Sequence, residues 1–233
     1  MSKGFFIAGT GTDVGKTVIS AGLLAYSRNI GKKSIIFKPV QSGAEKINGE
    51  WMAPDIRFAR KFCDIKEKDT ELVSSFYKAA QGPSIAAVHE GNPADIEKIA
   101  DNYYILSEKY ELIFTEGAGG ILSPAGPGIM AADIIKKLGL DTLLVSSPAL
   151  GTINSTLLSA KELESSGIRP RALVFSGNDG NDPYFEDVKR EIENLSGIKE
   201  IFDIPACSFD NETDRIIFLE KFKNLFETIM GDE

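Results

Sequence analysis

The sequence predicts an α/β fold: a single-domain, doubly wound, mostly parallel sheet with helices on both faces. Three observations lead there. Short apolar runs without helical period recur at residues 5–8, 34–37, 112–115, 142–146 and 172–175, as strands covered on both faces require. Segments with helical spacing alternate with them, the pattern of parallel strands joined by crossover helices. Glycine-bearing turns follow several of the runs, where a doubly wound sheet gathers its ligands. With 233 residues the chain is long enough for one large core, and residues 1–233 are read as one domain.

Composition narrows the class of ligand. A net charge of −8 disfavours nonspecific contact with nucleic acid or an anionic membrane, so small molecules are expected. No apolar run approaches the ~20 residues of a membrane span, and no signal segment precedes the first strand, which together suggest a cytoplasmic protein. Cys63 and Cys207 lie far apart without a Cys-x-x-Cys pair, and His89 is the only histidine, so a disulfide framework, a zinc site or a Ser-His-Asp arrangement has little support. His89 reads as a surface helix residue and Trp51, beside Asn48-Gly49, as loop decoration.

The chain opens with the strand 5–8, and the glycine-rich stretch 9–15 leads into Lys16-Thr17 and an apolar helix stopped at Gly31. Glycines let successive backbone N–H groups converge on an anion. Lys16 adds a point charge, Thr17 a hydroxyl for Mg²⁺, and the helix start its positive dipole end. This is a triphosphate cradle, P-loop NTPase-like, but one residue longer than Gly-x4-Gly-Lys-[Ser/Thr]: Thr10 holds the usual first position and Gly9 precedes it. An ordinary strand-to-helix turn would leave the coincidence of three glycines, Lys-Thr and flanking strand and helix unexplained.

The strand 34–37 is expected to stop at Lys38-Pro39, with Lys38 and Ser42 at its carboxyl end. Residues 44–54 read as a mobile loop, followed by a helix over 55–63 whose Asp55 suits the dipole. An irregular region runs to Gly82-Pro83-Ser84, then a short helix over 85–89. Asn92, with Pro93 in the first turn, is expected to cap the next helix, which presents Ile96, Ile99, Ala100, Tyr103, Tyr104 and Leu106 to the sheet. The strand 112–115 ends in Glu116-Gly117-Ala118-Gly119-Gly120. Glu116 is either a satisfied strand-end carboxylate or a Mg²⁺ ligand, and the P-loop favours the metal. A helix over 130–138 and the strand 142–146 follow. Gly151-Thr152-Ile153-Asn154 opens a helix that is either merely capped or holds a carboxylate. Asn178, after the strand 172–175, is a turn residue or an adenine reader, and taken without context it reads as the turn. A helix over 184–195, a strand over 200–204 and one last helix over 214–230 complete the chain.

Taken together, these motifs resemble the dethiobiotin synthetase family. Its Gly-Thr-x-Thr-[Asp/Glu]-Val-Gly-Lys-Thr loop matches residues 9–17, Lys-Pro-Val-x-Ser-Gly matches 38–43, and Glu-Gly-Ala-Gly-Gly matches 116–120. Gly151-Thr152-Ile153-Asn154, Asn178-Asp179 and Pro205-Ala206-Cys207 fall where the family has Gly-x-Ile-Asn, its adenine-reading Asn and its base-flanking loop. The longer P-loop is itself typical of the family.

The resemblance implies a ligase that joins 7,8-diaminononanoate, CO₂ and ATP into dethiobiotin. It implies ATP held by Asp13, Val14, Gly15, Lys16, Thr17 and Val18, by Gly117, Ala118 and Gly119, and around the base by Asn178, Asp179, Pro205, Ala206 and Cys207. Mg²⁺ would be held by Thr17, Asp55 and Glu116. Lys38, Lys16 and Thr12 would be catalytic; Thr12, Lys38, Ser42 and Gly151, Thr152, Ile153 and Asn154 would meet the other substrate, the last four from the second subunit of a homodimer. The chain departs from the family at Gly82-Pro83-Ser84, where Ser-Pro-His is common, and at Gly11, commonly acidic. Amidoligases related to cobyrinate synthetases would need a fused glutaminase domain. A MinD/ParA-like dimerising switch ATPase would carry a second lysine early in the P-loop, which this chain lacks.

Overall fold

The computed structural model describes residues 2–206 and 212–231. In chain order it contains β1 (Lys3–Gly9), α1 (Lys16–Asn29), β2 (Ser34–Gln41), β3 (Glu45–Ile47), β4 (Glu50–Met52), α2 (Pro54–Ala59), α3 (Asp69–Leu72), β5 (Val73–Phe76), α4 (Pro83–Glu90) and α5 (Ile96–Ser107). Then come β6 (Leu112–Glu116), α6 (Ala131–Leu138), β7 (Asp141–Ser146), α7 (Thr152–Ser165), β8 (Ala172–Asn178), α8 (Phe185–Ser196), β9 (Ile201–Pro205), α9 (Glu212–Glu220) and α10 (Phe222–Met230).

Seven strands form one sheet in the order β5-β2-β6-β1-β7-β8-β9, every neighbouring pair parallel. The chain moves from β1 past the β6 position to β2, and later back across to β7. Right-handed crossovers in opposite directions put helices on opposite faces. One face carries α1 with α2, α9 and α10 against it; α5 with α6, and α7 with α8, cover the other. Phe5, Phe6, Ile7, Ile35, Ile36, Phe114, Leu143, Leu144, Val174 and Phe175 are all buried, the two-sided burial that removes alternation from parallel strands. Among the described residues no helix is long and apolar enough to cross a membrane.

The structure corrects several local expectations. Residues 44–54 are not all loop: β3 and β4 pair antiparallel across Asn48-Gly49, both at positive φ (53° and 84°), the geometry of a tight hairpin turn. Trp51 lies on β4 with its ring stacked on Phe76 at 5.1 Å, so it anchors the hairpin to the sheet. Pro39 does not end β2. The pairing with β6 stops at Phe37–Thr115 and the strand continues beside β5, so proline loses no bond on the β6 side. β5 was hidden in sequence because it is a short edge strand, Val-Ser-Ser-Phe. Asp95, not Asn92, caps α5 through its bond from the Glu97 N–H at 2.9 Å, and Tyr104 is half exposed. The final helix breaks near Lys221: Phe218 and Phe222 are buried edge to face at 4.9 Å, while Ile216 and Ile217 face solvent.

α1 rests directly on α10. A Cβ at Gly22 would overlap the Phe222 ring, so this glycine is set by close approach and not by its dihedrals. Gly22→Ala is expected to destabilise the fold by about 1–3 kcal/mol through overpacking. Urea unfolding should register this as a lower midpoint with an unchanged slope.

Candidate active site

The loop between β1 and α1 is held at the centre of the sheet, where Thr10 N–H donates to the Val145 carbonyl at 2.9 Å. Its turn needs two left-handed residues, Asp13 (φ 58°) and Gly15 (φ 98°). Asp tolerates that region because its short carboxylate bonds locally, and its presence in a strained turn is typical of ligand loops. At Gly15 a Cβ would also overlap the Ser176 hydroxyl, so the loop packs flush against the end of β8. At Gly9 a Cβ would lie 2.8 Å from Lys16 Cδ and 2.9 Å from Nζ: the glycine leaves the path along which Lys16 returns over the loop. Lys16 Nζ donates to the Gly11 carbonyl at 2.7 Å. Val14 and Val18 pack against the core and brace the loop from below.

Beside it the carboxyl ends of β2 and β6 bring four side chains together. Thr17 Oγ1 donates to Glu116 Oε1 at 2.8 Å, and Lys38 Nζ donates to the same oxygen at 2.9 Å. Lys38 Nζ also lies 2.5 Å from Asp55 Oδ2 and donates to the Gly117 carbonyl at 3.1 Å. Lys38 and Glu116 are buried, at 3% and 1% exposure, so their charges are acceptable only as a matched set. Burial alone would lower Lys38, but Glu116 and then Asp55 outweigh it and hold the ammonium above the ordinary lysine value. Burial would likewise raise Asp55, and Lys38 instead pulls it down. In Glu116 burial prevails over the pull of Lys38, with repulsion from Asp55 adding to the rise.

Glu116 Oε2 is buried without a hydrogen-bond partner, an uncommon state for a carboxylate oxygen. With Asp55 and the Thr17 hydroxyl it forms an all-oxygen donor set, which suits Mg²⁺. Among the described residues there is no group of three or more His, Cys, Asp or Glu able to hold a metal.

These groups open into one cavity of about 710 Å³, lined by Thr12, Lys16, Thr17, Lys38, Ser42, Asp55, Glu116, Ala118 and Gly119, with Gln81, Gly82 and Pro83 on its far wall. The Ser42 hydroxyl is buried there without a partner. Gly119 turns the β6 end with φ 66°. Thr12 and Ser123 also line an adjoining groove of about 510 Å³ that reaches Asn154 and the exposed Leu122 and Leu158.

Two expected contributors stand apart from this cavity. At the α7 start, Gly151 is left-handed (φ 98°), and the Thr152 hydroxyl turns inward to Ser146 Oγ at 2.9 Å while its N–H donates to the Ala149 carbonyl at 3.0 Å. The N–H groups of half-buried Ile153 and exposed Asn154 therefore remain as the first-turn donors. Asn178 does not line the cavity. It lies two residues beyond Ser176, paired with Pro205, and its carbonyl accepts from Ala206 N–H at 2.9 Å. Exposed Asp179 is folded into a turn: its carboxylate accepts from Asn181 N–H at 3.0 Å, which keeps it below the usual range. Cys207 lies outside the described residues.

Sequence reasoning missed two supports. Asp69 is buried, accepts from Ala53 N–H at 2.6 Å and pairs with Arg60, fixing the start of α2 and so the position of Asp55. Asp203 on β9 accepts from Asn178 Nδ2 at 2.8 Å. An acid inside the apolar run Ile201-Phe202-Asp203-Ile204 was the available signal for the second; nothing local marked the first.

Lys16 supplies a pH test. Burial first, and then the charge of Lys38, lower it from 10.5 to about 8. From about 8 to 10.5 the unfolded chain therefore holds a proton that the native protein has released, so this group adds stability as pH rises through that window and costs stability below it. Polyphosphate anions favour the ammonium, so ATP binding at about pH 9 should take up a proton. Calorimetry in two buffers of different ionisation enthalpy should detect the uptake, and Lys16→Met should abolish it.

Comparisons with known proteins place the chain in a family. A family model described as an AAA domain matches residues 3–208. The ATP-dependent dethiobiotin synthetase BioD of Clostridium novyi (strain NT) is 36% identical over 220 residues, covering 93% of this chain and 92% of its own. That of Clostridium perfringens (strain 13 / Type A) is 34% identical over 226 residues, covering 94% and 99%. Among solved structures, the MinC:MinD cell division protein complex of Aquifex aeolicus aligns with a TM-score of 0.60 at 19% identity, covering 100% of this chain and 97% of that one. A ParA family ATPase from Chlorobium tepidum TLS aligns at 0.58 and 15%, covering 99% and 96%. At such identities the two structures share the fold and carry nothing further. The sequence relatives carry more: the chain belongs to the ATP-dependent dethiobiotin synthetase family, ligases that use ATP.

Proposed function

We propose that the protein converts 7,8-diaminononanoate, CO₂ and ATP into dethiobiotin, ADP and phosphate, with the chain working as one domain in the cytoplasm and as half of a homodimer. The observation that carries this reading is Lys38: a second buried ammonium stands beside the P-loop lysine and opens to the same cavity, held there by Glu116 and Asp55, a group that a triphosphate cradle alone does not call for.

One amine of the substrate adds to CO₂, releasing a proton and leaving a carbamate. Thr12 and Ser42 orient this end by hydrogen bonds, and Lys38 neutralises the carbamate oxygen. That oxygen then attacks the γ-phosphorus as the bond to the ADP oxygen breaks, giving a carbamic-phosphoric anhydride. Lys16 offsets the charge gathering on the phosphoryl oxygens, and positioning with charge neutralisation is most of what such a transfer requires. The neighbouring amine attacks the carbamoyl carbon, phosphate leaves, and the cyclic urea is closed. Thr17, Asp55 and Glu116 would hold Mg²⁺, which would supply charge neutralisation to the phosphates. The far carboxylate of the substrate meets the N–H groups of Ile153 and Asn154 at the α7 start of the second subunit. Exposed Leu122, Leu150 and Leu158 supply the apolar part of that subunit contact.

Phosphate release should depend on both diaminononanoate and bicarbonate; release indifferent to both would instead indicate a switch ATPase. Lys38→Ala should keep nucleotide affinity within about threefold and lower kcat by about 10²–10³-fold, the scale of removing one charge-stabilising donor. Wild-type turnover by that variant would remove Lys38 from the reaction. Sharing of sites has its own test. Lys38→Ala and Asn154→Asp, each nearly inactive alone, should regain activity when co-expressed, because one site of the mixed dimer is then intact. No regain would place both residues in the same subunit's site.

A further inference from the structure

Where β8 meets β9 the parallel register runs Phe175–Asp203 and Ser176–Ile204, then jumps to Asn178–Pro205, so Gly177 is an extra residue. Its φ is 86°, while a Cβ there would meet nothing within 4 Å: glycine is needed for the dihedral alone. Successive strand residues face opposite sides, and skipping one therefore moves Asn178 onto the face of Asp203 and Pro205. Without the bulge it would lie on the face of Ile204. Bulges of this kind re-aim side chains next to active sites.

On that face the amide of Asn178 is held at both ends. Nδ2 donates to Asp203 Oδ2 at 2.8 Å, and Oδ1 accepts from Gly180 N–H at 3.0 Å. A backbone N–H only donates and a carboxylate only accepts, so flipping the amide would lose both bonds. One Nδ2 hydrogen and one Oδ1 lone pair remain, an acceptor beside a donor. Adenine presents the complement, an exocyclic amine beside a ring nitrogen, whereas guanine puts a carbonyl oxygen where the amine would be. The position suits a base, since the P-loop packs against Ser176 two residues away and the Pro205-Ala206 end closes beside it. Asp203 is also a poor residue for an apolar strand. Its Oδ1 is buried without a partner, a cost that the fold gains nothing by bearing.

We propose that Asp203 is a positioning residue for nucleobase choice: it locks the Asn178 amide with the oxygen toward the purine amine, so that ATP is preferred over GTP. This rests on the reading of Asn178 as the residue that meets the base. Steady-state rates with ATP and with GTP test it, on wild-type protein and on Asp203→Ala, Asp203→Asn, Asn178→Ala and the Asp203→Ala/Asn178→Ala pair. Asp203→Ala should raise KM for ATP about tenfold with kcat within about twofold, and lower the ATP-to-GTP ratio of kcat/KM by about tenfold, the scale set by one lost polar contact. Asp203→Asn, whose oxygen still accepts, should keep most of the preference. The double variant should be no worse than Asn178→Ala, since both act on one contact. A lost preference in Asn178→Ala with a wild-type ratio in Asp203→Ala would overturn the role of Asp203 alone. Wild-type ratios in both would overturn the reading of Asn178 and this inference with it. Equal loss for ATP and GTP in Asp203→Ala would make the residue merely structural and overturn the proposal. Should Asp203→Ala fail to fold, Asp203→Leu, which fills the space without accepting, is read by the same ratio.

Discussion

The structure turns on the burial of Lys38 and Glu116 against each other. Neither charge is tolerable alone at 3% and 1% exposure, and each would be pushed toward its neutral form without the other. The sheet order answers this requirement. With β6 inserted between β2 and β1, the carboxylate at its end reaches Lys38 from one neighbour and Thr17 at the head of the helix that follows the other. A direct β2-β1 pairing would bring two lysines together with no acid between them. The crossover that skips a strand position is thus what places the Glu116 carboxylate within reach of both Lys38 and Thr17.

Asp55 completes the set, and its placement depends on parts far from any nucleotide motif. It is carried by a short helix whose start is tied to Asp69 through the Ala53 N–H, and whose approach is the β3-β4 hairpin stacked on β5 by Trp51 and Phe76. This segment therefore does structural work: it delivers a carboxylate to Lys38 at 2.5 Å. Its hairpin form gives that carboxylate a defined position, and preorganised charge is worth more than charge that must be ordered on binding.

What could be read in advance follows from how local each determinant is. Lys16, Thr17 and Glu116 sit in strand-turn-helix units whose glycines, apolar runs and charges all occur within about fifteen residues of one another, so the sequence displays them directly. Residues 45–52 were misread because three-residue strands carry too little alternation to register, although Asn48-Gly49 was a proper hairpin signal. Pro39 misled for a related reason. The rule against proline in a central strand assumes a neighbour on both sides, and β2 has lost β6 by that point. The unbroken apolar spacing over 214–230 hid a break that only the packing of Phe218 and Phe222 against the Gly22 side of α1 imposes. Asn178 stayed ambiguous because its meaning lies in a bulge, which is a relation between two strands and has no single-strand signature.

That last case separates two kinds of specificity in the site. In the proposed site the phosphate end is met by backbone N–H groups and lysine charge, which any nucleoside triphosphate would satisfy. Likeness to the MinD and ParA structures, at below 20% identity, extends to the fold alone. Distinctions finer than a triphosphate must come from groups beyond the loop, and the sheet offers two of them at opposite ends of the nucleotide path. In the site as proposed, Lys38 on the β2 side answers the charge of whatever receives the phosphoryl group, and the bulge at Gly177 on the β8 side answers the edge of the base. Both are built from strand ends that adjoin the P-loop, so the central loop sets the position of each without encoding either. Change of chemistry or of nucleotide in such a fold therefore needs no alteration of the loop itself, only of residues at the ends of β2, β6, β8 and β9.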